Sequence, residues 1–114
     1  MSSASSIAMS GMLAAEQRLN VAAYNIANVT TDLPANAPTD AATAFAPLRA
    51  DQIDTAGRGT AVAVRVQFPN DVFTGPDLAS EAVQVVLSRY TFAANVAVMR
   101  SAAQMQKVLL DTFA

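Results

Sequence analysis

The chain has 114 residues, 53% of them hydrophobic and only 14% charged, with a net charge of −2. That length allows one domain at most, and the acidic balance gives no basic footprint for nucleic acid. With no Cys and no His, disulfides, thiolate nucleophiles, imidazole bases and the usual zinc sites are excluded.

Alanine supplies much of the apolar fraction, which favours helix and limits bulky core. Low charge with many small residues suits helices packed in an assembly better than a soluble monomer. No Lys or Arg precedes Arg18, so no cleaved secretory signal is expected. No apolar run is expected to approach the roughly 20 residues that span a bilayer.

Residues Met1 to Ser6 are serine-rich and are expected to fray or cap. From about Ile7 to Val29 the pattern is helical. Met12, Leu19 and Ile26 recur every seven residues, and Ala8, Ala15, Ala22 and Val29 recur at the complementary offset. This is a short heptad seam with alanine at one position. Side-chain burial is expected mainly from Met12, Leu19 and Ile26, each worth roughly 1.5–3 kcal/mol if fully buried. Ordering the backbone costs roughly 1–2 kcal/mol per residue, so this helix needs a partner.

The helix is expected to end near Thr30–Thr31. Pro34, Pro38 and Pro47 then forbid regular helix, and Asp32 to Thr43 reads as an extended linker. Ala46 to Ile53 fits a short strand, and Asp54 to Gly59 a turn. Thr60 to Phe68 is the clearest strand, with Val62, Val64, Val66 and Phe68 alternating with Ala61, Ala63, Arg65 and Gln67. A half-buried hairpin arm is predicted. Pro69-Asn70-Asp71 reads as a second turn before Phe73-Thr74-Gly75.

From Asp77 to Ala114 the chain reads as one helix with no internal Gly or Pro. Pro76 suits its first turn, and Asp77 complements the helix dipole. Glu81, Gln84, Ser88, Thr91 and Asn95 form a polar stripe, continued slightly rotated by Arg100, Gln104, Lys107 and Asp111. The rest of the circumference is apolar and must be covered. A core helix would do this in a globular domain, but this helix is too long for so short a chain to wrap. Burial by several copies or by homologous chains is the favoured reading.

The predicted fold is therefore mainly α. Long N- and C-terminal helices pair as a coiled coil, with a small β-hairpin or extended segment between them. The segments are residues 1–31, 32–76 and 77–114, the two helices together forming one core.

Catalytic chemistry finds little support. Gly57-Arg58-Gly59 lacks the Lys and the helix start of a phosphate loop and fits a hairpin turn. Asp51 and Asp54 beside Arg49 and Arg58 fit a solvated surface better than a carboxylate pair in a cleft. Met9, Met12, Met99 and Met105 are packing residues rather than metal ligands. Asn25, Asn28 and Asn95 are disfavoured in helix interiors. They either end a helix or hydrogen-bond across an interface.

Those asparagines carry a resemblance. Ser10-Gly11-Met12, followed by Leu19-Asn20-Val21-Ala22-Ala23-Tyr24-Asn25-Ile26-Ala27-Asn28-Val29-Thr30-Thr31, resembles the N-terminal motif of bacterial flagellar rod and hook axial proteins. Tyr24 stands where that motif commonly has asparagine. Asp77-Leu78-Ala79-Ser80-Glu81 and Phe92-Ala93-Ala94-Asn95 resemble the family's C-terminal helix. The size is nearest the small proximal-rod members, of the rod protein C type. Their middle segment carries an aromatic-x-Pro-Leu-Arg stretch like Phe45-Ala46-Pro47-Leu48-Arg49.

The resemblance implies a structural, non-enzymatic subunit of the basal-body rod, without cofactor or metal. Such a subunit polymerises helically through its terminal helices into the torque-transmitting drive shaft and export channel. It is exported through the flagellar type III apparatus without a cleaved signal and crosses the periplasm as part of the rod. Its implied partners are copies of itself, other rod proteins, the export apparatus and basal-body ring components, with no nucleic acid and no direct membrane span. Its expected assembly interface is Met12, Leu19, Asn25, Ile26, Asn28, Val85, Phe92, Asn95, Met99 and Leu109. The residues alone leave open a small helical adaptor or export-chaperone-like protein that binds one partner helix.

Overall fold

The computed structural model describes residues 2–30, 47–67 and 76–113. The elements are α1 (Ser2–Ala27), β1 (Leu48–Thr55), β2 (Gly59–Val66) and α2 (Leu78–Phe113). This is the expected order, two long helices flanking an antiparallel hairpin. The expected linker and the turn at Pro69-Asn70-Asp71 lie outside the described residues, as does Phe68.

Helix α1 begins at Ser2, five residues before the expected start. Ser and Ala carry little helix penalty, and a first turn continuous with a packed helix does not fray as a free end does. The helix closes at a turn in which the Asn28 N–H donates to the Tyr24 carbonyl at 3.2 Å. The Asn28 side-chain Nδ2 donates to the same carbonyl at 2.8 Å, a second bond to an acceptor that the backbone N–H already engages. Helix α2 has a side-chain cap. Asp77 Oδ1 accepts from the Ala79 N–H at 3.1 Å, and the Asp77 carbonyl accepts from the Glu81 N–H at 2.9 Å. Asp77 thus satisfies an orphan donor as well as complementing the dipole.

The hairpin pairs Leu48 with Val66 at its open end and Thr55 with Gly59 at its tip. Strand β1 therefore runs two residues beyond the expected Ile53, and the turn shortens to Ala56-Gly57-Arg58. Both glycines of the Gly-Arg-Gly run have positive φ, 71° at Gly57 and 90° at Gly59. That backbone admits glycine readily and other residues only with strain. Val64 and Val66 are exposed, so the alternating face of β2 is less covered than the expected half-buried arm. Arg49, Asp51 and Arg65 form exposed ion pairs on the hairpin, of the kind worth little.

The helices run antiparallel. Gly11 lies against Asn95 and Asn25 bonds Glu81, so each step along α1 matches one step back along α2. By this register the last two turns or so of α2 extend past the beginning of α1. The hairpin lies along α1 and is fixed at both ends, by Asn25 at Leu48 and by Ser10 at Thr60. Ser10 to Asn25 spans about 22 Å of helix, and Leu48 to Thr55 spans about 23 Å of strand. The matched lengths allow both ends to dock at once.

The buried apolar residues are Ala8, Ala14, Ala15, Val21, Ala22 and Ala102. All but one are alanine, so the helices approach closely and bury little side-chain area. Helix α2 is long and apolar enough to cross a membrane by length and composition, with a mean hydropathy of 1.2 over 18 residues. That differs from the expectation based on uninterrupted apolar runs. Its polar interruptions at Ser88, Thr91 and Asn95 are buried or half-buried on the side facing α1.

The two turn glycines differ in surroundings. A Cβ at Gly57 meets nothing, whereas one at Gly59 collides with the Ser10 side chain. Gly57→Ala is expected to cost only the left-handed backbone penalty, about 1–2 kcal/mol. Gly59→Ala is expected to cost that and also release the hairpin tip from α1. Amide exchange at Thr60 checks this: protection is kept in Gly57→Ala and lost in Gly59→Ala. Equal protection in both would refute the contact.

Candidate assembly interface

Asn25 is buried, 1% exposed, and makes three hydrogen bonds. Its Oδ1 accepts from the Leu48 N–H at 2.9 Å. Its Nδ2 donates to the Leu48 carbonyl at 2.8 Å and to Glu81 Oε1 at 2.7 Å. One amide therefore joins the end of α1, the start of β1 and the first turn of α2. The side chain mimics a strand neighbour, exchanging both bonds with one residue as in an antiparallel ladder.

At the other end, Ser10 and Gly11 address different partners. Ser10 Oγ donates to the Ile7 carbonyl at 2.7 Å and accepts from the Thr60 N–H at 3.2 Å. Gly11 is buried against Asn95, and a Cβ there would lie 2.6 Å from both amide atoms of that side chain. Asn95 Nδ2 donates to the Thr91 carbonyl at 2.9 Å.

The α1 face turned to α2 is thus Ala8, Gly11, Ala15, Arg18, Ala22 and Asn25, spaced by three and four. The alanine row is the expected one. The second row is Gly11, Arg18 and Asn25 rather than Met12, Leu19 and Ile26, which are half-buried on its flank. The seam sits one residue over because close approach needs small residues and the inward polar groups need partners. On α2 the facing row is Glu81, Val85, Ser88, Thr91, Asn95, Met99 and Ala102, buried or half-buried. Of the polar stripe of α2, Glu81, Ser88, Thr91 and Asn95 therefore face inward, while Gln84 and the continuation through Arg100, Gln104, Lys107 and Asp111 are exposed.

The other expected interface residues distribute as follows. Val85 and Met99 are half-buried in the α2 seam, while Asn95 bonds within its own helix and packs on Gly11. Asn28 bonds the end of its own helix. Phe92 and Leu109 are each 43% exposed on α2. Outside the seam, α2 presents Val83, Val86, Leu87, Tyr90, Val98, Val108, Leu110 and Phe113 to solvent. Exposed apolar surface on this scale marks an interaction face. The Asn25 junction was missed as an intrachain contact, although an asparagine inside a helix marked its position.

Asn25→Ala leaves the Leu48 N–H and carbonyl without their partner and is expected to destabilise the chain by about 2–3 kcal/mol. Asn28→Ala, at an exposed helix end, is expected to cost under about 1 kcal/mol. Urea unfolding of both variants distinguishes them, and equal midpoints would contradict the junction. Gly11→Ala is expected to push the Asn95 amide off its Thr91 bond, a loss set against the roughly 1 kcal/mol of helix propensity that alanine brings. Trimming the neighbour in Gly11→Ala/Asn95→Ala is expected to recover part of that loss, giving a coupling of about 0.5 kcal/mol or more. Strict additivity in that double-mutant cycle would place the two residues apart.

These contacts concentrate on α1, and α1 also holds most of the segment that matches a family model. No curated protein matches the chain significantly. Residues 6–32 match the family model described as flagella basal body rod protein, a span that holds Ser10, Gly11, Arg18 and Asn25. Over this segment the chain is similar to the flagella basal body rod proteins.

Proposed function

We propose that the chain is a subunit that polymerises helically into the basal-body rod, nearest the small proximal-rod members of the rod protein C type. Its terminal helices form the shaft and line the export channel, and the subunit reaches the rod through the type III export apparatus. Residues 1–31 and 77–114 act together as the polymerising core, and 32–76 as a lateral element. Partners are further copies, other rod proteins and the ring components around them, with no membrane span.

One observation carries this reading. The chain places small and polar residues between its own helices and its large apolar residues outside. A monomer does the reverse.

Phe92 tests it. Its ring is exposed in the isolated chain, flanking the seam. If neighbours enclose it, Phe92→Ala costs roughly 3–5 kcal/mol per contact, repeated around the tube. The expected outcome is protein that is made and exported but few complete basal bodies and poor motility. The checks are a motility assay, immunoblots of exported protein and a count of intact basal bodies by electron microscopy. Normal rods would show that this α2 face is not covered. A stable helical monomer at high concentration that captures a single partner helix would instead support the adaptor alternative.

A further inference from the structure

Arg18 is the one charged side chain in the α1 seam. Its Nε is enclosed and has no hydrogen-bond partner, and the same holds for Ser88 Oγ, which the helix register sets opposite it. Arg18 makes no ion pair among the described residues. Glu81, on the crevice to one side, already accepts from Asn25. Asp54, on the crevice to the other side, makes no ion pair with Arg18. Arginine does not shed its charge, and the enclosed Nε of this half-buried side chain has no acceptor among the described residues.

The second crevice, about 500 Å³, shows what fits. Arg18 lines it with Gly11, Asn95 and the exposed Ile7 and Leu87, and the hairpin side adds Gln52, Asp54 and Thr60. On the helix side it offers a cation beside two apolar side chains. The complementary shape is an acid set among apolar residues. The end of α2 has that character: Val108, Leu109, Leu110 and Phe113 are exposed, and Asp111 lies among them. Lys107, one turn earlier, makes no ion pair with Asp111 among the described residues. Once this apolar end is covered, Asp111 needs a cation.

We propose that Arg18 receives the Asp111 carboxylate of a second copy, with the end of that copy's α2 seated between Ile7 and Leu87. The inference rests on the reading of the chain as a self-assembling subunit and names the contact. Such a pair adds little net energy, but a neighbour displaced by one turn leaves both charges unpaired. Its role is to set the register between copies.

The chain has no cysteine, so introduced thiols stand alone. Chains carrying Arg18→Cys are mixed with chains carrying Asp111→Cys and treated with a short bis-maleimide. The expected result is a heterodimer band, absent when Asp77→Cys or Glu16→Cys replaces Asp111→Cys. In sedimentation, Arg18→Asp is expected to weaken self-association about tenfold or more. Arg18→Asp/Asp111→Arg is expected to regain most of that loss, which a merely structural role for Arg18 would not permit. Circular dichroism confirms that the variants keep their helices; if Arg18→Asp does not, the crosslink decides. Self-association without the Arg18–Asp111 crosslink, or with equal crosslinking to Asp77, overturns this contact and leaves the rod reading standing. No self-association at the highest soluble concentration overturns both.

Discussion

The structure depends on one primary amide. Asn25 is the point at which α1, the hairpin and α2 meet, and its oxygen and nitrogen are all engaged. The hairpin has no large core of its own and cannot be independently stable as two strands. It is held because its open end docks on Asn25 while its tip docks on Ser10. Aspartate in place of Asn25 would lack the donor that both the Leu48 carbonyl and Glu81 require, and leucine would lack every bond. A network this small is therefore sensitive to its single centre, since each buried group left unpaired costs about as much as several surface contacts supply.

Close approach explains the rest of the packing. Gly11 and the alanines at 8, 15 and 22 bring the helix backbones near enough for Asn95 to pack on Gly11 and for Glu81 to accept from Asn25. Small residues bury little area, so the seam specifies geometry more than it stabilises. Burial of large side chains is the main favourable term in folding, and here most of those side chains lie outside the seam. The same distribution sets the polar side of α2 against α1 and leaves its apolar side exposed.

Much of this was legible in the sequence, and the part that was not has a physical cause. The seven-residue recurrence of Ala8, Ala15 and Ala22 located one row of the seam, and Gly57-Arg58-Gly59 located the hairpin turn. The second row was misplaced onto Met12, Leu19 and Ile26 because apolarity ranks them above Gly11, Arg18 and Asn25. That ranking holds for seams built on side-chain burial and fails for seams built on close approach. The better signal was residues disfavoured in helices: Gly11 and Asn25 in α1 and Asn95 in α2. Each sits where a partner backbone or amide requires it. The docking of Asn25 on Leu48 joins residues far apart in sequence, and no local pattern encodes such a pairing.

Ser10 and Gly11 carry the same logic to its smallest scale. Adjacent residues on a helix point about 100° apart, so one pair can serve two surfaces. Ser10 turns to the hairpin and holds the Thr60 N–H, while Gly11 turns to α2 and yields its Cβ space to Asn95. Exchanging the two would set a hydroxymethyl group against Asn95 and leave Thr60 without its acceptor. The order serine then glycine therefore fixes which side of α1 the hairpin occupies relative to α2. Through that choice it also fixes which faces of both helices stay free to meet another chain.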